Sequence, residues 1–597
     1  MPVPPKPAPH QQKLTAALEC LRLGQTGRAE TLLRAVLTDR PSQAEALNLL
    51  GLLTARTGRA EEAERLFGRL VRVAPKNHAA HDNRGAALTR LRRYNEALAC
   101  FGKAQTLSPG NAGIWNNRGI ALSGLERVED ALACFDKALA AQPHFAAAND
   151  SRGIALTRLR RFAEAIAAFD RAIGLERGNA EFLVNRGVTL GHMGRFQEAL
   201  ETYGRACAAA PESMRAHRGR ATALEYLARY DEAIAAYDRA LALAPRDVGA
   251  LTGRANALYA SGRHAEALEG YAAAIASDPD YADAHWDESL CRLAMGDYET
   301  GWEKYEWRWK AALAGARPDI PEPCWKGDFP IAGKTLLVVA EQGLGDSLQF
   351  CRYVPMLAAL GARAVVEVPR PLARLLSGLT GDSVVITEGE RRPAFDAWTP
   401  MLSLPLAFRT TLAAIPAEVP YLRADPDAAA AWRERLSVLP GRKVGVVWAG
   451  APKPDDPLSN TMDGRRSVTL EHYAPFFGVP GVSLISLQKG PPAVQAAALS
   501  PGMVLHDWTG ELNDFADTAA LIAALDLVIS VDTSVAHLAG ALEKPAWVLN
   551  RYDQCWRWLH GRTSSPWYPT ARLFQQKTPG GWSGVIQDVA AALRAGI

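Results

Sequence analysis

The feature that most constrains this chain is a repeat of 34 residues in its first half. Prolines mark the period at Pro41, Pro75, Pro109, Pro143, Pro211, Pro245 and Pro279. Arg177 stands where one further proline would fall. A period of this length, kept in register over many units, is typical of stacked helix-turn-helix hairpins.

Small and aromatic residues keep the same register. The small residues are Gly51, Gly85, Gly119, Gly153 and Gly187, followed by Ala29, Ala63, Ala97, Ala131, Ala165, Ala199, Ala233 and Ala267. Aromatic residues follow most of these alanines by four positions, at Phe67, Phe101, Phe135, Phe169, Tyr203, Tyr237 and Tyr271. Small residues let two helices approach closely, an aromatic ring fills the gap between hairpins, and proline ends the second helix.

This half of the chain resembles the tetratricopeptide repeat (TPR) family. Eight units fit between His10 and Tyr281, and a ninth, altered unit carries Gly301 at the alanine position with Trp302, Tyr305, Trp307 and Trp309 around it. We interpret the ninth unit as a cap that docks onto the C-terminal domain. The prediction is a disordered tail over 1–9 and a TPR superhelix over 10–312. Such solenoids normally bind a protein or peptide on their concave surface.

Two polar ladders run along the first helix of the repeats. One is formed by Asn83, Asn117 and Asn185, with Ser151 in place of one rung. The other consists of Arg84, Arg118, Arg152, Arg186, Arg220 and Arg254. An inward-facing row of amides could hold the backbone of an extended peptide, because an amide both donates and accepts. TPR glycosyltransferases that modify serine and threonine use asparagines in this way, so the resemblance implies acceptor binding by Asn83, Asn117 and Asn185. Alternatively, Asn-Arg-Gly is a common version of the repeat, and the arginines pair with acids of neighbouring hairpins.

The period stops after the proline-rich stretch 318–323, where short β-branched runs begin to alternate with helical stretches. Runs at 335–340 and 527–531 are typical of buried strands, and the alternation predicts a mainly parallel sheet. We place a linker at 313–333, a first half of the domain at 334–425 and a second half at 426–597. The predicted fold class is therefore α plus α/β.

Six motifs in this region resemble those of GT-B glycosyltransferases, especially the heptosyltransferase-like branch that bacteria fuse to TPR arrays. They are Gln342-Gly343-Leu344-Gly345-Asp346, Trp448-Ala449-Gly450, Arg466-Ser467, Ser486-Leu487-Gln488-Lys489-Gly490, the run from Asp532 to Gly540, and Ser565-Pro566-Trp567-Tyr568-Pro569. The resemblance implies two Rossmann-like halves, a nucleotide-sugar donor and no metal. Its motifs place donor binding at Gly343, Gly345, Trp448, Gly450, Arg466, Gln488, Lys489, Asp532, Thr533, Ser534 and His537.

The residue types fit that chemistry. Asp532, Thr533 and Ser534 follow a buried strand at a helix N-terminus, where free N–H groups favour phosphate. Arg466 and Lys489 follow strand ends, so their charges could balance a departing diphosphate. The alternative for the first group is a simple helix cap with His537 on the exposed face.

Asp346 is the predicted catalytic base, since heptosyltransferases carry their catalytic aspartate at the matching Gly-Asp. A carboxylate there could deprotonate an acceptor hydroxyl. The alternative role for Asp346 is the N-cap of the following helix, and the two roles are compatible. Glu341 is the reserve candidate. The aromatic stretch around Trp556, Trp558, Trp567 and Tyr568 either closes the sugar end of the pocket or forms buried core.

Other classes of protein are weakly supported. The turn at Gly343 lacks the third glycine of a dinucleotide fingerprint, and Asp328 stands where a Walker A glycine should be. A net charge of +3 is too small to indicate a nucleic-acid-binding surface. No apolar run in the sequence is long enough to span a bilayer. The eight cysteines lack ligand spacing and are assigned to packing as reduced thiols. With a proline-rich start that lacks the apolar core of a secretory signal, a cytoplasmic protein is expected.

The sequence therefore predicts a cytoplasmic protein O-glycosyltransferase. It would transfer a sugar from a nucleotide donor to serine or threonine hydroxyls of a protein held by the TPR groove. Flagellin before export is the expected acceptor, on resemblance alone. The alternatives are a non-catalytic TPR scaffold with a degenerate GT-B domain, and a lipopolysaccharide-type glycosyltransferase.

Overall fold

The computed structural model describes residues 8–311, 317–379, 381 and 383–596. Residues 1–7 of the predicted tail and 313–316 of the predicted linker lie outside this description. Contacts between residues divide the chain into two compact units, one ending at Gly219 and the other beginning at Arg220. The boundary thus falls inside a repeat helix, far from the predicted linker.

Residues 8–311 fold into eighteen consecutive α-helices. They are α1 Pro9–Arg22, α2 Thr26–Asp39, α3 Ala44–Arg56, α4 Ala60–Val73, α5 His78–Arg90, α6 Tyr94–Leu107, α7 Ala112–Gly124, α8 Val128–Ala141, α9 Ala146–Arg158, α10 Phe162–Leu175, α11 Ala180–His192, α12 Phe196–Ala209, α13 Met214–Tyr226, α14 Tyr230–Leu243, α15 Val248–Ala260, α16 His264–Ser277, α17 Ala282–Met295 and α18 Tyr298–Tyr305. A 3₁₀ turn, Glu306–Trp309, comes next. The predicted array of TPR hairpins is confirmed.

Glycine and phenylalanine pack together inside four of the hairpins, those from α3 to α10, as the register of the sequence indicates. In the hairpin of α5 and α6, Phe101 is fully buried, and a Cβ placed on Gly85 would lie 2.6 Å from its Cε1 atom. The same pairing recurs for Gly51 with Phe67 and for Gly153 with Phe169. The glycine therefore sets how closely the two helices approach.

Replacing Gly85 with alanine is expected to destabilise this hairpin by about 1–3 kcal/mol, because the added methyl overpacks against the Phe101 ring. Gly102 is the matched control, since it lies in α6 beside Phe101 and a Cβ there would meet nothing within 4 Å. Gly102→Ala should stabilise the helix by about 0.5–1 kcal/mol. Hydrogen exchange of α5 and α6 measures both effects, and equal protection in the two variants would contradict the packing argument.

The C-terminal region of the second unit contains ten strands and ten further helices among its described residues. The strands are β1 Thr335–Val339, β2 Arg363–Val368, β3 Ser383–Thr387, β4 Ala397–Pro400, β5 Arg442–Val447, β6 Val482–Ser486, β7 Leu505–His506, β8 Leu527–Val531, β9 Ala546–Asn550 and β10 Ala571–Gln575. The helices are α19 Leu344–Phe350, α20 Val354–Ala359, α21 Arg370–Leu376, α22 Leu404–Ala407, α23 Pro426–Leu436, α24 Pro457–Arg466, α25 Ala474–Phe477, α26 Phe515–Ala523, α27 Ser534–Ala541 and α28 Trp582–Ala595. Short 3₁₀ turns lie at Cys351–Tyr353, Met401–Ser403, Leu412–Ala414, Leu470–Tyr473, Pro491–Ala498, Thr509–Glu511 and Trp556–Trp558.

The strands form two parallel sheets. The four-stranded sheet has the order β3-β2-β1-β4, and the six-stranded sheet has the order β10-β9-β8-β5-β6-β7. Counted from its own first strand, the larger sheet reads 3-2-1-4-5-6 in reverse, which is the Rossmann order. The predicted α/β region with parallel, Rossmann-like sheets is therefore confirmed.

In a sheet of this order, ligands bind where the strand order reverses, beyond the carboxyl ends of the two central strands. In the larger sheet those strands are β5 and β8, which pair in parallel from Val444 with Leu527 to Val447 with Ser530. The chain that leaves β5 is Trp448-Ala449-Gly450, and the chain that leaves β8 is Asp532-Thr533-Ser534. The fold thus brings two separate sequence motifs to one edge.

The altered ninth repeat packs into the core of the second unit. Trp302 is 1% exposed, and its ring lies 5.3 Å from that of Trp556 and 5.9 Å from that of Phe350. The indole N–H of Trp567 donates to the Tyr298 hydroxyl at 3.0 Å. The last repeat helices and the α/β region therefore share one hydrophobic core.

None of the helices in the described ranges is both long enough and apolar enough to cross a membrane.

Candidate functional site

A glycine turn of the smaller sheet packs directly on the first turn of α27. Gly345 lies in α19, and a Cβ built on it would be 3.0 Å from His537 Cδ2 and 3.4 Å from Ser534 Cα. Gln342, just before this turn, adopts a left-handed φ of 63° and exchanges hydrogen bonds with the Tyr305 hydroxyl. Backbone strain of this kind is held only where the surroundings fix it, which is common at functional sites.

Asp346 is held at both carboxylate oxygens. Its Oδ2 accepts a hydrogen bond from the Gly343 backbone N–H at 2.9 Å. Gly343 is the N-cap of α19 and Asp346 is the third residue of the helix, so the alternative that Asp346 itself is the N-cap is wrong, although its carboxylate does cap the helix from within the first turn. Its Oδ1 forms an ion pair with the guanidinium of Arg557. The Asp346 side chain is 14% exposed. Because its two oxygens bind different groups, it orients the Arg557 guanidinium and also caps α19.

Asp532 and His537 lie in a buried aromatic setting. The Trp558 indole N–H donates to Asp532 Oδ1 at 2.8 Å, and the His537 ring stacks on Trp558 with centroids 5.0 Å apart. The His537 Nδ1 is 3.0 Å from the Tyr568 hydroxyl. Burial lowers the pKa of His537 to about 4, even though the charge of Asp532 opposes this shift. The imidazole is thus neutral at pH 7 and adds no positive charge.

The aromatic stretch belongs mainly to the core. Trp558, Trp567 and Tyr568 are each at most 1% exposed. Trp556, which is 4% exposed, also borders a cavity beside the switch point. His537 is buried as well, which differs from the exposed helix face expected if the motif were only a cap.

Arg466 lies at the end of α24, against the turn that leaves β5. Its Nε donates to Asp463 Oδ1 at 2.8 Å, and Asp463 is 7% exposed. The Gly450 N–H donates to the Ser467 hydroxyl at 3.0 Å. A Cβ on Gly450 would overlap Asp463 Oδ1 and would lie 2.8 Å from Arg466 Nη2. The glycine therefore makes room for the Asp463–Arg466 pair.

Gly450→Ala is expected to displace this pair and to weaken nucleotide diphosphate binding by about 10-fold, which corresponds to about 1.4 kcal/mol. The matched control is Gly464→Ala in the same helix, where a Cβ would meet nothing within 4 Å. Titration calorimetry of both variants with a panel of UDP, GDP and ADP measures the change. If Gly450→Ala binds the nucleotides with the affinity of the wild type, the position of Arg466 does not matter for nucleotide binding.

Three predicted donor-binding side chains hold the loops of the larger sheet. Trp448 is fully buried in the core. Gln488 Oε1 accepts from the backbone N–H groups of Trp448 and Ala449, while its amide donates to two backbone carbonyls. Lys489 Nζ donates to the carbonyls of Thr509 and Leu512. Gln488 thus positions the turn before Gly450, and Lys489 holds the loop between β7 and α26. Direct ligand contact by these side chains stays a prediction.

The cavity beside the switch point has a volume of about 870 Å³ and lies within the second unit. On the α/β side it is lined by Gln342, Arg465, Arg466, Asp532, Arg551, Asp553 and Arg557, among others. On the repeat side it is lined by residues of α13 to α17, including Glu225, Tyr226, Asn256, Tyr259, Trp286 and Asp287. Of the predicted site residues, Arg466 and Asp532 border this cavity. Asp346, Gly345, Ser534 and His537 pack behind it, and Asp346 meets it through Arg557.

The α/β wall of the cavity carries several guanidinium groups. Arg465 donates to Asp553 Oδ2 at 2.7 Å and to the Tyr230 hydroxyl at 2.8 Å. The Nε atoms of Arg465 and Arg557 are buried without a hydrogen-bond partner among the described residues. Because guanidinium groups match phosphate oxygens, this wall can hold a diphosphate.

Sequence reasoning missed the repeat wall, although the period contained a signal for it. Continuing the asparagine ladder from Asn185 in steps of 34 residues leads through Gly219 and Gly253 to Asp287. Asp287 therefore occupies a ladder position of the last repeats. Its place on the cavity that Arg466 also lines depends on tertiary structure, which the period does not encode.

The earlier asparagines lie in the first unit and bond along the array. The Asn117 amide donates to Asp82 at 3.1 Å and the Asn185 amide to Asp150 at 3.0 Å, while Asn83 donates to Asn48. Four arginines of the second ladder pair with acids of the preceding hairpin: Arg84 with Glu64, Arg152 with Asp136, Arg186 with Asp170 and Arg254 with Asp238. Arg118 instead donates to the side-chain oxygen of Gln105. These arginine pairs match the alternative interpretation, and acceptor binding by the asparagines stays a prediction.

Comparison with known proteins supports the two-part organisation. Family models described as tetratricopeptide repeat match residues 14–67, 78–111, 116–180, 184–248 and 227–287. The model described as glycosyltransferase family 9 (heptosyltransferase) matches residues 494–558, which include β8, α27 and β9.

Similar proteins cover parts of the chain. Protein FlbA of Caulobacter vibrioides is 32% identical over 326 residues, covering 51% of this chain and 53% of FlbA. The chain therefore spans about half the length of that relative. Among solved structures, MamA from Desulfovibrio magneticus RS-1 is 23% identical over 28% of this chain and 95% of its own, with a TM-score of 0.27. A tetratricopeptide repeat protein from Parabacteroides merdae is 17% identical over 42% of this chain and 98% of its own, with a TM-score of 0.37.

The fold and these matches show tetratricopeptide repeats across the N-terminal region, followed by a parallel α/β region. That C-terminal region carries the similarity to glycosyltransferase family 9, the heptosyltransferases.

Proposed function

We propose that this chain is a glycosyltransferase that binds a nucleotide-sugar in the cavity at the switch point of the larger sheet. The observation that carries the proposal is the placement of Arg466 and Asp532 on that cavity. Asp532 directly follows the central strand β8, and Arg466, at the end of α24, lies against Gly450 in the turn that leaves the central strand β5. The residues that match glycosyltransferase family 9 include Asp532, Arg551 and Arg557. A GT-B arrangement of the two sheets, with no metal required, is part of this proposal.

In the proposed reaction an acceptor oxygen attacks the anomeric carbon of the donor sugar. The bond between that carbon and the diphosphate oxygen breaks, and the nucleoside diphosphate leaves with the electron pair. Arg466 and Arg557 balance the charge that develops on the leaving oxygen, an effect worth several kcal/mol in a water-excluded site. Asp532, just before the N-terminus of α27, borders the cavity, whereas Thr533 and Ser534 are not among the residues that line it. Donation from the N–H and hydroxyl groups of these two residues is therefore the part of the proposal that rests on the motif alone.

The acceptor proposed is a protein hydroxyl, because TPR arrays bind proteins and peptides. Flagellin, modified in the cytoplasm before export, is the specific candidate, and it rests on the family resemblance alone. Asp346 remains the base suggested by that resemblance. Its two hydrogen-bonded oxygens also fit a residue that positions Arg557.

Two measurements test the proposal. Calorimetry with UDP, GDP and ADP asks whether the full chain binds a nucleotide, and Arg466→Ala asks whether it does so at this cavity. Intact-mass spectrometry of flagellin from wild-type and deletion cells asks whether a sugar-sized mass depends on the protein. Nucleotide binding without any sugar-dependent mass on flagellin or another protein would favour a scaffold. A sugar missing from lipopolysaccharide instead would favour the lipid-directed alternative.

A further inference from the structure

The part of the cavity wall that belongs to the repeats carries two carboxyl groups. Glu225 at the end of α13 and Asp287 in α17 both line the cavity, and Asn256 of α15 lies with them. The two carboxyls therefore face the space in which the proposed donor would bind. This part of the array forms one compact unit with the α/β region, so it belongs to the site itself.

Each carboxyl is fixed by a buried neighbour. The Tyr237 hydroxyl donates to Glu225 Oε2 at 3.1 Å and is itself 3.1 Å from the Thr222 hydroxyl. The Asn256 amide donates to Asp287 Oδ2 at 2.9 Å, and the Tyr271 hydroxyl donates to Asn256 Oδ1 at 2.6 Å. Hydrogen-bonded chains of this kind orient their last member, as positioned proton acceptors require.

We infer that this wall is the acceptor subsite and that the Glu225 carboxylate takes the proton from the attacking hydroxyl. The inference rests on the proposed function. The acceptor oxygen forms its bond to the anomeric carbon, its proton passes to Glu225, and the nucleoside diphosphate departs towards Arg466. Asp287 lies near Glu225, and its negative charge makes Glu225 more basic.

The electrostatic setting suits a general base. Burial raises the pKa of Glu225 to about 7, and the nearby charge of Asp287 acts in the same direction, whereas Tyr237 and Arg465 oppose the shift. Burial also raises the pKa of Asp287 to about 7. A base is most effective when its pKa lies near the working pH. The titratable groups around Glu225 are Tyr226 on its own helix, Tyr237 of α14, Tyr271 of α16, Asp287 of α17, Arg465 of α24 and Asp553 after β9.

Asp346 and Glu225 are thus the two candidates for the base, and they differ in their access to the cavity. Asp346 accepts from a backbone N–H and pairs with Arg557, which leaves it behind the cavity wall. Glu225 lines the cavity directly. A proton acceptor must reach the hydroxyl within hydrogen-bond distance, so the geometry favours Glu225.

The test uses the full chain with the total soluble protein of deletion cells as acceptor probe and the nucleotide-sugar fraction of the same cells as donor. Transfer is followed as sugar-sized mass added to any protein, between pH 5.5 and pH 8.5. For the wild type we expect the rate to rise with pH through a midpoint near 7, because the base acts in its deprotonated form. Glu225→Gln should lower the rate by about 10²–10⁴-fold and abolish this rising limb.

Three further variants make the outcome specific. Asp287→Asn removes a negative neighbour, which lowers the pKa of Glu225 and should shift the midpoint to lower pH. Asp346→Asn should keep the midpoint of the wild type. Glu232→Gln, at an exposed position of α14, is the matched control and should behave like the wild type.

Calorimetry of Glu225→Gln with the nucleotide panel should give the affinity of the wild type, which shows an intact fold and donor site. Transfer by Glu225→Gln at the wild-type rate and midpoint, or loss of the rising limb in Asp346→Asn, would overturn the inference and leave the proposed function standing. No transfer by the wild type would overturn the proposed function, and the inference would fall with it.

Discussion

Replacing Arg308 with alanine is expected to lower the free energy of unfolding of the second unit by about 3–5 kcal/mol, because it leaves the largely buried carboxylate of Glu341 without its counter-ion and leaves Glu306 paired with Lys326 alone. The Arg308 side chain is completely buried. Its guanidinium binds Glu341 through two hydrogen bonds of 2.9 Å, Glu306 at 2.8 Å and the Ser403 hydroxyl at 2.9 Å. Burial raises the pKa of Glu341, whereas Arg308 and Lys326 outweigh burial and lower the pKa of Glu306.

Tryptophan fluorescence during urea denaturation measures this effect, since every tryptophan except Trp115 lies beyond residue 220. Arg263→Ala is the control, because Arg263 forms an exposed pair with Glu266 that should contribute at most about 1 kcal/mol. The triple variant with Arg308→Met, Glu306→Gln and Glu341→Gln should recover most of the loss. A cost below about 1 kcal/mol for Arg308→Ala would contradict the account.

Arg466→Ala is expected to reduce sugar transfer by about 10²–10³-fold, because it removes a charge aimed at the leaving diphosphate. Arg466→Lys should recover only part of the rate, since an ammonium lacks the planar fork of a guanidinium. Arg433, exposed on α23, is the matched control for removal of an arginine from the same half. Transfer by these variants is measured with the same protein acceptors and nucleotide-sugar fraction as for Glu225.

The main contradiction would be an Arg466→Ala protein that transfers sugar at the rate of the wild type. In that case Arg465, Arg551 or Arg557 on the same wall would carry the charge compensation. A rate loss confined to a higher apparent KM for the donor would assign Arg466 to ground-state binding.

The repeat half can be predicted almost completely from the sequence. A hairpin contacts mainly its neighbours, so its period records most of its contacts. The proline, glycine and aromatic registers are therefore enough to predict the helical hairpins. One difference is at the start, where α1 begins at Pro9, a residue that the prediction places in a disordered tail. Proline is favoured in the first turn of a helix, which explains that position.

The α/β half is predicted less fully. The run 527–531 matches β8 to the residue, and 335–340 matches β1 with one residue fewer. Strand β4, with the sequence Ala397-Trp398-Thr399-Pro400, is missed because four residues ending in proline give little periodic signal. The helical stretch that follows β1 is divided into α19 and α20 by a 3₁₀ turn.

The candidate site shows the limit of motifs. Asp532 and Arg466 are predicted as site residues because each follows a strand in the sequence, and ligands of parallel sheets bind beyond the carboxyl ends of the strands. Glu341, the reserve base, is held by Arg308 instead. Glu225 and Asp287 are missed because more than 170 residues separate each of them from Arg466 in the sequence.

The cavity is lined both by the last repeats and by the α/β region, and this limits how the two parts can be recombined in engineered proteins. An α/β region cut out at the proline-rich stretch 318–323 would lose the helices that carry Glu225, Asn256 and Asp287, and its cavity would open to solvent on that side. Chimaeras that join a foreign array to this region should therefore be fused before Arg220. The last repeats then stay attached to the α/β region and keep their side of the cavity.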